Sequence, residues 1–187
     1  LYTLMSENNT DHNSLLTRGC CASKKISIDE NGHKAYSCAK LDAQNWLLPI
    51  DFTGIPSFKC AEVRFKNSHK DFFLIPSDIS VEVGDIVAVE ASPGHDIGII
   101  SLTGETARLQ MVKKNVSPDS EDLKKIYRLA RAGDIEKWIK ATEREESTII
   151  KTRQLVGNLG LKMKVNDVEF QGDETKAVFY YTADDRV

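Results

Sequence analysis

Val87–Gly104, VAVEASPGHDIGIISLTG, and Met163–Val187, MKVNDVEFQGDETKAVFYYTADDRV, decide the fold class. In the first stretch, Val87–Glu90, extended back by Ile86, and Ile97–Leu102 are short apolar runs. Pro93-Gly94 separates them, and Thr103-Gly104 closes the second. Short runs of branched residues between turn residues read as buried strands. In the second stretch, Met163–Gln171 and Lys176–Thr182 flank Gly172-Asp173-Glu174, the pattern of a β-hairpin.

More strands lie outward from the first stretch. Ala61, Val63 and Phe65 alternate with Glu62, Arg64 and Lys66, the period of a half-buried strand. Phe72–Leu74 adds a second strand, Glu82–Asp85 a turn, and Arg108–Val112 a last strand. Such close spacing fits a small barrel or a strongly curved sheet. Between the two stretches, Ser117 reads as an N-cap and Pro118 as the first helical residue. The helix they open carries Leu123, Ile126, Tyr127 and Ala130 and ends near Gly133. Asp134 caps a longer helix to about Gly160, with a broken apolar stripe through Ile135, Trp138, Ile139, Thr142, Ile149 and Val156. The fold class is therefore α+β, a small β-barrel-like sheet followed by helix–helix–β-hairpin.

Residues 1–37 are polar, lack periodicity and read as a flexible, Cys-containing N-terminal arm. Residues 38–116 form the β-rich domain, entered through a short apolar group at Leu41 and Trp46–Leu48. Residues 117–187 form the helix–helix–hairpin part of an α+β domain. The chain stops just after a strand, so it reads as a piece of a longer one, with another helix and more strands to follow.

The 187 residues, 41% hydrophobic and 28% charged, describe a globular chain with a real core. A net charge of −3 argues against indiscriminate nucleic-acid binding by the whole surface. No apolar run reaches membrane-spanning length, so no membrane insertion is expected. LYTLMSENNT is not a secretion signal, and four unevenly spaced cysteines do not make a secreted disulfide framework. Both point to the cytoplasm.

Cys20, Cys21 and Cys38 are the chemical feature of the arm. Converging thiolates hold zinc or iron–sulfur clusters, and basic neighbours Arg18, Lys24, Lys25 and Lys40 favour the thiolate form. Incidental thiols on a mobile tail are the plain alternative. Cys60 reads as a small core residue. In Gly94-His95-Asp96-Ile97-Gly98, adjacent His and Asp point to opposite faces of an extended chain and form no relay. They read instead as a tight, glycine-shaped loop with His95 exposed. Lys124, Arg128 and Arg131 follow helical spacing and share one face, a candidate surface for phosphate or an acidic partner, or simply a solvated face. Tyr127, Trp138 and Phe179-Tyr180-Tyr181 read as core. No phosphate-binding glycine loop and no catalytic set is present.

Taken in order, Glu62–Asn67 (EVRFKN), Gly84–Glu90 (GDIVAVE), Gly94–Gly98 and Asp184–Val187 (DDRV) resemble the polymerase-suppressor (PSP) C-terminal domain family of the YaaT/RicT type. The resemblance runs from about Cys38 to Val187. Cys-Ala-Lys-Leu-Asp at Cys38–Asp42, followed by Trp46, looks most like the Bacteroidetes branch. It implies a cytoplasmic regulatory scaffold, not an enzyme. Bacillus relatives join small helical regulatory proteins in a complex that redirects an endoribonuclease in RNA maturation and carries iron–sulfur clusters. The family's densest cysteine motifs are expected beyond Val187. An iron–sulfur cluster or zinc at Cys20, Cys21 and Cys38 is the cofactor this branch implies. The rival reading is an RNA- or ribosome-binding module acting directly.

Overall fold

The computed structural model describes residues 26–29, 32–35, 47, 58–66, 69–118, 120 and 122–187. Its elements are β1 (Ile26–Asp29), β2 (Gly32–Ala35), β3 (Cys60–Arg64), β4 (Lys70–Leu74), β5 (Ile86–Glu90), β6 (His95–Thr103), α1 (Gly104–Lys113), β7 (Lys124–Leu129), α2 (Ala132–Asn158), β8 (Met163–Phe170) and β9 (Ala177–Ala183). Strands β1 and β2 pair antiparallel within the segment expected to lack regular structure.

Five strands close a barrel in the order β3-β4-β7-β5-β6. Neighbours are antiparallel except β4 and β7, which run parallel. Ala61, Val63, Phe73, Val87, Val89, Ile100 and Ile126 fill the interior. The opposite faces of the same strands are covered too. Ile86, Ala88, Ile97 and Ile99 pack with Ile135 and Trp138 of α2, while Cys60 and Phe72 pack with Met111 of α1. A strand buried on both faces needs a continuous apolar run, which Ile86–Val89 supplies.

Two further elements differ from the sequence reading. The segment expected to open a helix at Ser117 is strand β7, and it fills the gap between β4 and β5. The segment expected to be a strand at Arg108–Val112 is helix α1, burying Thr106, Ala107 and Met111. The fold is still α+β with a barrel, two helices and a terminal hairpin, but a strand separates the helices. Because β7 completes the barrel, the boundary expected at 116/117 runs through a shared core.

Strand β3 is buried along its whole length rather than half-buried. Glu62 is fully buried on its outer face. Its Oε1 accepts from Ser101 Oγ at 2.6 Å and Lys70 Nζ at 2.8 Å, and Lys114 Nζ lies 3.6 Å from Oε2. Burial pushes this carboxyl up, and Lys70, Ser101 and Lys114 together bring it below its ordinary value.

Candidate functional site

Helix α2 packs across β8, and the β8–β9 hairpin lies against one end of the barrel. Between hairpin and barrel is a cleft of ≈ 470 Å³. Phe65, Phe73 and Val89 contribute apolar walls. His69, Asp71, Glu90, Asp96, Glu169 and Tyr180 also line it, together with Lys124 and Lys176.

Glu169 is the hub. Its Oε2 accepts from the Tyr180 hydroxyl at 2.7 Å, its Oε1 accepts from Lys66 N–H at 3.0 Å, and His69 Nδ1 lies 3.8 Å away. Burial pushes the Glu169 carboxyl up, but His69, Tyr180 and the Lys66 amide outweigh it and hold the group below its usual value. The Glu169 carboxylate in turn raises His69. Burial and the same carboxylate raise the Tyr180 phenol. The His69 ring also stacks on Phe65, with centroids 4.9 Å apart.

Asp96 stands opposite. Its Oδ1 accepts from Ile97 N–H at 2.7 Å and Gly172 N–H at 2.8 Å, which ties β6 to the hairpin turn. Burial pushes its carboxyl up to about 6 against the pull of those two amides. A folded-state value above the unfolded one means that the protonated form favours folding. That contribution is complete below the reference value of 3.8 and is lost as pH rises through about 6. Asp96→Asn keeps an acceptor oxygen and removes the buried charge. We expect this variant to be more stable than the parent at pH 8 by on the order of 2 kcal/mol, with the gap closing by about pH 4. Urea titrations at both pH values check this, and a gap that does not depend on pH contradicts it.

Two further connections hold the hairpin in place. Lys66 Nζ donates to Glu145 Oε2 of α2 at 2.9 Å, to Asp167 Oδ1 of β8 at 2.5 Å and to the Val168 carbonyl. At the turn, Gln171 Nε2 donates to the Pro93 and His95 carbonyls at 2.7 and 3.2 Å, and Asp173 Oδ2 accepts from His95 N–H at 2.9 Å. Gly94 between them has φ 76, and a Cβ there would lie 2.0 Å from Asp173 Oδ2. The cluster's polar groups thus chiefly join two layers of the fold.

The structure redistributes the residues singled out from sequence. Cys20, Cys21 and Cys38 lie outside the described residues. Among the described residues no three His, Cys, Asp or Glu side chains are placed to hold a metal ion. Cys60 is buried with Phe72 and Met111, as expected. His95 and Asp96 are successive residues of β6 and form no relay, but they open a strand rather than a loop, and His95 is half-buried.

Lys124, Arg128 and Arg131 do not share a helix face. Lys124 and Arg128 belong to β7, and Arg131 is the N-cap of α2. Lys124 lines the cleft. Arg128 grips Asp134 through both terminal nitrogens, and Asp134 also accepts from Arg131 N–H at 2.8 Å. The guanidinium pulls the Asp134 carboxyl down to about 2. Tyr127 on β7 is exposed, not core, and so is the Phe179-Tyr180-Tyr181 run, because α2 packs mainly on β8 and leaves β9 outside. The cluster at His69, Asp96, Glu169 and Tyr180 has no local sequence signal, since its members come from three strands, β6, β8 and β9, and the β3–β4 connection.

Residues 124–187, from β7 through β9, match the PSP1 C-terminal conserved region. With the similarity below, this match supports a YaaT-like member of the PSP1 family. The chain is 32% identical over 129 residues to the stage 0 sporulation protein YaaT of Bacillus subtilis, covering 67% of this chain and 43% of that protein. It is 26% identical over 147 residues to the uncharacterized protein PB7E8.02 of Schizosaccharomyces pombe, covering 67% of this chain and 20% of that protein. The chain thus spans less than half the length of either relative. No solved structure matches it. No helix among the described residues is long and apolar enough to cross a membrane.

Proposed function

We propose that this chain is a regulatory protein that works as a scaffold for protein partners, with the C-terminal end of α2 as a docking surface. One observation carries this reading. The first half of α2 buries Ile135, Ala141, Thr142 and Glu145, whereas towards its end Leu155 is 59% exposed and the C-cap Leu159 70% exposed. Leu161, just beyond, is exposed as well. Lys151, one turn before Leu155, and Lys162, next to Leu161, are exposed and have no ion-pair partner among the described residues. Apolar side chains edged by ammonium groups fit a small regulatory protein whose own apolar helix face is rimmed by Asp and Glu.

The name of the Bacillus subtilis relative, a sporulation protein, supports regulation rather than catalysis. The family resemblance supports RNA maturation as the regulated process, with an endoribonuclease among the assembled partners. Direct RNA binding is the competing outcome of the test. Leu155→Glu/Leu159→Glu should leave the fold intact, because both positions are exposed. It should release the partner that co-purifies with the parent chain from its native cells. Retention of every partner by the folded variant removes this surface from the reading.

A further inference from the structure

The β8–β9 hairpin meets the barrel through backbone amides donated to carboxylates across the joint. Gly172 N–H of the turn donates to Asp96 Oδ1 of β6 at 2.8 Å, and His95 N–H of β6 donates to Asp173 Oδ2 of the turn at 2.9 Å. Lys66 N–H of the β3–β4 connection donates to Glu169 Oε1 of β8 at 3.0 Å. In each bond one layer supplies the amide and the other the carboxylate. The turn is seated hard on the barrel: a Cβ on Gly172 would lie 2.5 Å from Ile97 Cγ1 and 2.9 Å from Ile97 N. Ile97 adjoins Asp96, so the seated turn closes over the Asp96 carboxyl.

Two groups of this joint change charge near neutrality. Burial raises Asp96 to about 6, and the Glu169 carboxylate adds to the rise. Glu169 in turn raises His69, with Asp71 and Asp96 acting in the same sense. The space around them is also lined by Glu90 of β5, Lys124 of β7 and Lys176 before β9. His95 Nδ1 lies 3.8 Å from Asp173 Oδ2, and the Lys66 ammonium is engaged by Glu145 and Asp167. The Tyr180 phenol, raised by burial and Glu169, stays neutral.

We propose that the seat of the hairpin on the barrel is a proton-operated joint: docking takes up protons at Asp96 and His69, so the hairpin sits tightest in acid and loosens as pH rises through neutrality. Undocking returns both side chains to water and to their ordinary values. The sign is the same for both. A group raised in the docked state stabilises that state below its ordinary value, and the contribution is lost as pH rises through the docked value. For Asp96, moving between 3.8 and about 6, the opening constant should grow about tenfold from pH 5 to pH 8. His69 adds to this growth. The inference is independent of the partner surface at the end of α2.

Hydrogen exchange at the three cross-joint amides tests it. Protection factors, with each amide's intrinsic rate divided out, read the opening of the joint. Gly172, His95 and Lys66 should lose protection by about tenfold or more from pH 5 to pH 8, and should be less protected than the amides of β5. In Asp96→Asn/His69→Gln the loss should shrink to less than about threefold. A second measurement separates the seat from burial within the barrel alone. In Gly172→Ala the added carbon collides with Ile97 and lifts the turn. The Asp96 carboxyl, followed by NMR, should then titrate near its ordinary 3.8 rather than at about 6, with β5 amide shifts unchanged. Cross-joint protection indifferent to pH overturns the proposal. So does protection equal to that of β5, since the joint would then open only with the barrel. A double variant as pH-sensitive as the parent overturns it too, as does an Asp96 that titrates alike in the parent and in folded Gly172→Ala. If Gly172→Ala does not fold, the exchange result decides alone.

Discussion

Gly98→Val should unfold the barrel at a markedly lower urea concentration, with a loss of about 3 kcal/mol or more. Gly98 sits in β6 opposite Val87. A Cβ there would lie 2.4 Å from Val63 Cγ1, 2.9 Å from Phe65 Cε1 and 3.1 Å from the Arg64 carbonyl oxygen. Valine adds two more carbons, and Val63 is fully enclosed by the barrel interior. Backbone on the third side cannot rotate away. The cause is close approach of β3, not the dihedral angle: Gly98 is not among the glycines with positive φ. An unchanged denaturant midpoint in Gly98→Val contradicts this packing account.

Lys66→Met should cost about 3–5 kcal/mol, the usual range when one partner of a buried ion pair is removed. The ammonium lies between Glu145 and Asp167, with side-chain exposures of 9%, 6% and 30% for the three residues. The thioether fills similar space but carries no charge, so two carboxylates lose the cation between them. Because Lys66 joins the β3–β4 connection to α2 and β8, the loss should be felt first where the hairpin meets the barrel. Hydrogen exchange in Met163–Ala183 should accelerate more than in β5 or β6. Uniform acceleration across the chain would mean that Lys66 is not a local clasp.

The sequence revealed elements whose patterns are local. Ile86–Glu90, Ile97–Leu102 and the hairpin were legible because apolar runs or alternation were cut by Pro93-Gly94 and Gly172-Asp173. The long helix was legible from its stripe and from Asp134 near its start. Segment 117–131 was misread because Leu123, Ile126, Tyr127 and Ala130 also fit a helical period over so short a window. What selects the strand is non-local, since β4 and β5 need a partner between them to close the barrel. Helix α1 was missed because its buried residues, Thr106, Ala107 and Met111, make no clean stripe.

The cleft shows the same limit. His69 and Glu169 are 100 residues apart in the chain and meet only because the hairpin docks on the barrel. Arg128 looked like a partner-binding charge until its neighbour in space, Asp134, was known. The exposed Phe179-Tyr180-Tyr181 run reads as core from sequence, because aromatic spacing alone does not reveal that β8 is the covered strand.

The account rests most on the proposal that this chain is a regulatory scaffold working through a protein surface rather than by holding RNA itself. The direct measurement is co-purification of the parent chain and Leu155→Glu/Leu159→Glu at low and high salt, with protein and RNA quantified in each eluate. An apolar contact should keep a protein partner bound to the parent at high salt, whereas phosphate contacts fall away steeply. The predicted result is a protein partner present with the parent at both salts, absent with the double variant, and little RNA in either. RNA that binds parent and variant equally and leaves as salt rises, with no accompanying protein, would contradict the account.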